Sequence, residues 1–279
     1  MSDSVAAPGE SLLVEHAAGV WFACLNRPDR RNALTDGVVG AIGGLLSRVA
    51  ADRAARALVV CGAGGNFCAG ADLTGILELL ARAPDQDKDP IARYNRQYGT
   101  LLEQLAALPV PTIAVVTGAA IGGGCGLAAA CDRVLAAEDA SFATPEVTLG
   151  VAAAQIAPFI VRRMGAARGR WLMLAASRLA APDALAAGLA DVVAPPAGLR
   201  AALMSDLRLL AAAEPTALRA TKRIIGLATS VPLPAALDAA ALEFAGLLRH
   251  GEVREGVAAA RQKRAPAWQA PVPELPGFL

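Results

Sequence analysis

The sequence predicts an α/β protein, with a βα-rich N-terminal two-thirds and an almost entirely helical C-terminal third. Two observations carry that expectation. Buried-strand patterns such as "ALVVCG" (from Ala57) and "PTIAVVTG" (from Pro111) run into glycine-rich turns that lead toward helical spacing. From Pro158 onward the pattern is almost entirely helical, with Pro182 and Pro215 suited to first turns and Gly188 to a helix end.

Taken in order, "SLLVEH" and "VWFACLN", separated by "AAG", read as a hairpin. "LTDGVVGAIGGLLSRVAAD" follows with helical periodicity, Thr35 serving as its N-cap and Asp36 lying in its first turn. The polar stretch "RAPDQDKDPIARYNRQ" interrupts the pattern and reads as a mobile, partly helical insertion. "LLEQLAAL" is helical, while "RVLAAE" and "SFAT" are further short strands. The proline-rich tail after Arg264 reads as extended.

Composition narrows the function classes. The chain has 279 residues, 55% of them apolar and only 4% aromatic, enough for one large packed domain. Lys and Arg (26) balance Asp and Glu (25) and form no basic block, which argues against a nucleic-acid partner. No apolar run is long enough to span a bilayer, and "MSDSVAAPGE" does not read as a signal peptide, so a cytoplasmic protein without a membrane partner is expected. Cys24, Cys61, Cys68, Cys125 and Cys131 form no CxxC pair and read as buried reduced thiols. His16 and His250 suggest no partnership, which disfavours a histidine triad or a metal centre. Neither a metal nor a cofactor is expected.

Two strand-to-helix turns share one chemical logic. "FCAGAD" (Phe67 to Asp72) and "IGGGCG" (Ile121 to Gly126) each follow a buried strand and bend at glycine. A helix starting after such a turn has unpaired N–H groups, and two of these converging on one point make an oxyanion hole. Either turn alone is equally a plain tight turn; there is no P-loop lysine and no spaced GxGxxG.

Read in series, "LNRPDRRNAL", "FCAGADL", "GAAIGGGCGLAAACD", "PEVTLG" and "REGVAAARQKRAPAW" resemble the crotonase, or enoyl-CoA hydratase/isomerase, superfamily from about Leu12 to Trp268. The resemblance implies a spiral of ββα repeats over residues 11–200 carrying the CoA site. It further implies a helical C-terminal trimerisation region over 201–264 and an extended tail over 265–279. A homotrimer or dimer of trimers acting on an acyl-CoA thioester is expected, with CoA as part of the substrate.

Carried over residue by residue, the resemblance makes the backbone N–H groups of Ala71 and Gly123 the oxyanion donors, with Gly122 beside them. Fixed N–H dipoles stabilise the charge that enolisation places on the thioester oxygen. Ala69 matches a position whose carbonyl meets adenine. Arg27, Arg30 and Arg31 either attract the CoA phosphates or form an ordinary solvated loop, while Lys263 matches a C-terminal family position that approaches the nucleotide end of CoA. Asp72 reads as a helix cap in preference to a general base. Glu146 in "SFATPEVTLG" matches one of two acid/base glutamates, where apolar surroundings would raise its pKa toward neutrality. Without the motif order it would be an ordinary loop glutamate.

One position departs from the pattern. Two-glutamate hydratases read GGGCE where this chain reads "GGGCG", so Gly126 replaces the second carboxylate. Three readings follow: a hydratase with water held by Glu146 and a substituted second group, a Δ3,Δ2-enoyl-CoA isomerase using Glu146 alone, or an acyl-CoA-binding pseudoenzyme. The segment "AQIAPF" is similar to bacterial methylglutaconyl-CoA and isohexenylglutaconyl-CoA hydratases, which favours hydration of a branched, glutaconyl-type thioester. Gln155, Arg93 or Arg96 would then contact the extra carboxylate, an arginine in a polar insertion being otherwise solvated.

Overall fold

A computed structural model describes residues 3–5, 10–72, 74, 89–249 and 252–279 of the chain. Residues 82–88 of the polar insertion, and His250, lie outside the described residues.

The hairpin forms where its turn chemistry places it. Strand β2 (Leu12–Ala17) pairs antiparallel with β3 (Val20–Leu25) through a turn in which Gly19 takes φ +79°. A short β1 (Asp3–Val5) adds antiparallel to β2. From β3 onward the sheet is parallel: β4 (Ala57–Gly62), β5 (Thr112–Val116), β7 (Arg133–Ala137) and β10 (Val192–Ala194) follow in the order β1-β2-β3-β4-β5-β7-β10. Parallel strands covered on both faces bury nearly every side chain, which is why these segments read as continuous apolar runs. A second, small sheet orders β6 (Ala119–Ile121), β8 (Ser141–Ala143) and β9 (Arg178–Ala180).

Helix α1 (Asp36–Ala51) starts at the expected cap: the Thr35 hydroxyl accepts from Val38 N–H at 3.3 Å. It buries Val38, Ile42, Leu45, Leu46 and Val49, one face at helical spacing. Helix α2 (Pro90–Ala106) opens on Asp89, whose carboxylate accepts from Ile91 N–H at 2.8 Å, and buries Leu101, Leu102 and Leu105. The second half of the polar insertion is thus regular helix. Helix α3 (Gly123–Ala129) follows β6 directly.

The remainder carries α4 (Ala157–Met164), α5 (Ala166–Leu174), α6 (Ala181–Ala186), α7 (Pro196–Ala212), α8 (Pro215–Leu227), α9 (Leu233–Arg249) and α10 (Glu252–Gln262). Pro182 and Pro215 occupy first turns, and Gly188 takes φ +78° just past α6. Strands β9 and β10 are the exceptions inside the region read as almost entirely helical. Each is three residues long, too short for a period to show, and exists because β8 and β7 supply its partner.

The spiral of ββα units predicted from the sequence is what the chain builds, with a helical C-terminal region after it. The tail contains no helix or strand, yet it is fastened. Arg56, buried beneath it, donates to the carbonyls of Ala211, Ala213 and Trp268, and Val272, Leu275 and Phe278 pack on the core. All five cysteines are free and buried. Among the described residues no helix is long and apolar enough to cross a membrane.

Candidate active site

The two glycine turns meet because "FCAGAD" lies as an extended segment between β6 and the Leu34 loop. Cys68 N–H donates to Ala119 O and Cys68 O accepts from Ile121 N–H, both at 2.9 Å. On the other side, Leu34 N–H donates to Gly70 O at 2.7 Å and Asp72 N–H to Leu34 O at 2.9 Å. The approach is tight enough to exclude side chains. A Cβ at Gly70 would lie 2.7 Å from Ile121 O, and one at Gly124 would lie 2.2 Å from Cys68 O.

That packing leaves the backbone N–H groups of Ala71 and Gly123 without a donor bond to any described residue. Both residues line one cavity of about 230 Å³. Its walls also include Leu34, Tyr98, Gln155 and Ile156, with Glu146 among them.

Glu146 begins a short 3-10 turn (Glu146–Leu149) after β8 and Pro145. Its Oε1 rests against the second turn, 2.9 Å from where a Cβ of Gly122 would be, so glycine there is what admits the carboxylate. Its Oε2 is buried with no hydrogen-bond partner among the described residues. Burial raises the carboxyl pKa above its ordinary value, and a bond from its own backbone N–H opposes that only in part. A carboxyl whose pKa is raised, with one unpartnered oxygen and in the same cavity as two residues with unpaired N–H groups, is equipped to exchange a proton with a bound carbonyl compound.

Gly126 faces apolar packing. A Cβ there would lie 2.2 Å from Cγ2 and 2.7 Å from Cβ of Ile156, so Ile156 fills the space a side chain would use.

The chain matches the enoyl-CoA hydratase/isomerase family model over residues 15–271. The chain belongs to the enoyl-CoA hydratase/isomerase family. It is 34% identical to the 2,3-dehydroadipyl-CoA hydratase of Escherichia coli, over 91% of this chain and 97% of that protein. It is 33% identical to a putative enoyl-CoA hydratase of Thermus thermophilus, over 90% and 96% of the two chains. Among solved structures, Pseudomonas aeruginosa AtuE is 41% identical and superposes with a TM-score of 0.88 over 93% of this chain and 100% of that one. This enoyl-CoA hydratase/isomerase family member is accordingly an acyl-CoA-processing protein of the hydratase/isomerase type.

Within this family member the other sequence-derived candidates separate into three groups. Gln155 lines the cavity, where its Nε2 donates to Asn95 Oδ1 at 2.7 Å. Ala69 and Arg31 lie side by side, since Ala69 N–H donates to Arg31 O at 2.9 Å, while Arg30 and Arg31 are exposed outside the cavity. Lys263, exposed at the end of α10 with φ +52°, is not brought to the cavity.

Asp72 behaves as a structural carboxylate. It accepts from Thr74 N–H at 3.2 Å and pairs with Arg27 at 3.4 Å, and the Thr74 bond is the main reason its pKa is lowered. Arg93 and Arg96 do not line the cavity; Arg96 pairs instead with Glu103 at 2.6 Å on an exposed face.

Sequence reasoning missed Ile156 and the two tyrosines, Tyr94 and Tyr98, that line the cavity. A signal for the tyrosines was present. The chain has only two, and they stand four residues apart, on one face of α2.

Proposed function

We propose that this enzyme hydrates an α,β-unsaturated acyl-CoA, with Glu146 as its single acid/base and the Ala71 and Gly123 N–H groups as the oxyanion hole. The observation that carries the reading is the half-buried Glu146 carboxyl, its Oε2 unpartnered, in the same cavity as both N–H donors. Glu146 takes a proton from water as the water oxygen bonds to C3 and the C2–C3 π electrons move into the thioester enolate. The enolate collapses by taking that proton from Glu146 at C2, on the same face. One carboxylate therefore completes a syn addition, provided its pKa allows both directions of transfer.

A second reading, Δ3,Δ2-enoyl-CoA isomerisation, is favoured by Ile156, which places apolar surface where a second carboxylate would hold water. Glu146 would then move a proton between C2 and C4 without water. Mass spectrometry of enoyl-CoA and glutaconyl-CoA products separates the two: hydration adds one water, isomerisation leaves the mass unchanged. Binding with no product from any thioester would leave only the pseudoenzyme reading.

For the acyl group, we favour a branched, glutaconyl-type ester, as the "AQIAPF" resemblance implies. The Gln155–Asn95 amide pair offers hydrogen bonds for a second carboxylate inside an otherwise largely apolar cavity.

For CoA, the loop of Arg30 and Arg31 beside Ala69 is the proposed contact, with Lys263 reaching a neighbouring subunit. Assembly into a trimer or dimer of trimers is supported by the exposed apolar side chains of α9, among them Leu237, Leu242 and Phe244. Light scattering on a Leu242→Arg, Phe244→Arg variant tests this, a shift to monomer being the expected result. The core is assigned to 11–200, the helical region to 201–264 and the tail to 265–279.

A further inference from the structure

The two N–H donors are held in different ways. The Gly70–Ala71 peptide is fixed by backbone alone, because Gly70 O and Asp72 N–H both bond to Leu34. The Gly122–Gly123 peptide lies in a run of three glycines, where no side chain restricts the backbone. Gly122 N–H bonds to Ala143 O at 2.7 Å, and Gly122 O accepts from Gly126 N–H at 3.0 Å. On its far side the donor residue is held by a side chain. The Tyr98 hydroxyl donates to Gly123 O, and its ring stands 3.5 Å from where a Cβ of Gly123 would be.

We infer that Tyr98 is a positioning residue for the oxyanion hole, pinning Gly123 so that its N–H points at the thioester oxygen. The inference rests on the oxyanion reading of Ala71 and Gly123. Three observations converge on it. Tyr98 lines the cavity, its ring covers the donor residue, and its hydroxyl is committed to the carbonyl of that same residue. Burial pushes the phenol pKa well above its ordinary value, which keeps the hydroxyl a proton donor throughout the working pH range. A donor whose orientation is fixed before substrate arrives needs no reorganisation in the transition state. A glycine left free at this point would lose part of that advantage without losing affinity for the CoA portion of the substrate.

The test uses Tyr98→Phe, which removes one oxygen and keeps the ring, with carbonyl-¹³C butanoyl-CoA as an unreactive probe. In the wild-type enzyme, binding should move the thioester carbonyl stretch to lower frequency, the signature of polarisation by two N–H groups. In Tyr98→Phe the probe should still bind, with a smaller shift. Turnover of the enzyme's enoyl-CoA substrate should fall roughly five- to tenfold in kcat, with KM changing less. An unchanged carbonyl shift in Tyr98→Phe overturns the role of Tyr98 and leaves the oxyanion hole standing. No shift in the wild-type enzyme overturns the oxyanion reading itself, and this inference with it. Amide NMR spectra of the free proteins cover the remaining case. Changes confined to residues around Gly123 support positioning, whereas chain-wide loss of dispersion makes Tyr98 a folding residue and overturns the proposal.

Discussion

Ile156 occupies the volume that a side chain at Gly126 would need: a Cβ at 126 would lie 2.2 Å from its Cγ2. Ile156 is buried in the core at the entry to α4, so it cannot swing into solvent to make room. The glycine and the isoleucine are one packing unit. Gly126→Ala should therefore destabilise the fold by about 1–3 kcal/mol, and by much less when Ile156 is also Ala. Urea unfolding of the four proteins in this cycle checks it, and additive effects would refute the packing relationship. In the Ile156→Ala background, Gly126→Glu gains room for a second carboxylate and should raise the proportion of hydrated product.

Glu146 predicts a pH dependence whose sign follows from its raised pKa. A group that binds its proton more tightly in the folded state contributes stability that is complete below its unfolded pKa, about 4.3. That contribution is lost as pH rises through the folded pKa, because the folded chain must then hold a poorly solvated carboxylate. Glu146→Gln has nothing to lose. Its stability relative to wild type should therefore climb with pH from about 4 upward and level off beyond the folded pKa. Denaturation midpoints across this range read the difference directly, and a flat difference would falsify the assignment. The same variant should abolish turnover while retaining CoA-thioester binding.

The contact of the two turns predicts an unusual sensitivity to one methyl group. Gly124→Ala presses a Cβ to 2.2 Å from Cys68 O, a backbone atom that cannot rotate away. The proposed oxyanion donors, Ala71 and Gly123, should separate, lowering kcat by on the order of 10²-fold, the scale of a lost oxyanion donor. Gly226→Ala provides the contrast. It lies exposed in α8 with nothing within 4 Å of its Cβ position, and should stabilise the enzyme by about 0.5–1 kcal/mol through helix propensity. Thermal unfolding paired with single-turnover rates distinguishes a displaced donor from general loosening.

What the sequence revealed follows from how locally each feature is encoded. The Thr35 cap, the Gly19 turn and the buried runs of β4 and β5 depend on near neighbours, and were readable. Strands β9 and β10 depend on pairing with β8 and β7 across long stretches of chain, and were not. The site divides along the same line. The two turns and Glu146 stand in ordered motifs, and the cavity gathers Ala71, Gly123 and Glu146. Ile156 was passed over because its partner, Gly126, is thirty residues away and has no side chain to suggest a contact. Tyr98 is masked by its place directly after a polar insertion, although α2 turns it toward the cavity.

Gln155 and the two arginines of α2 make opposite predictions about the acyl end of the site. Arg93 is exposed and outside the cavity, and Arg96 pairs with Glu103 in solvent, an arrangement worth about 0–1 kcal/mol in stability. Arg93→Ala and Arg96→Ala should therefore leave turnover unchanged. Gln155 differs because its carboxamide is wedged against α2: a Cβ at Gly99 would lie 1.8 Å from its Oε1, while its Nε2 is bound to Asn95. An amide so fixed presents its remaining hydrogen-bonding capacity to the cavity in one orientation. Gln155→Leu keeps comparable bulk and removes both polar atoms. It should raise KM for a glutaconyl-type thioester while changing that for an unsubstituted enoyl-CoA of similar length far less, because only the former leaves a carboxylate unsatisfied. Equal losses on both substrates would show that Gln155 braces α2 without reading the acyl group.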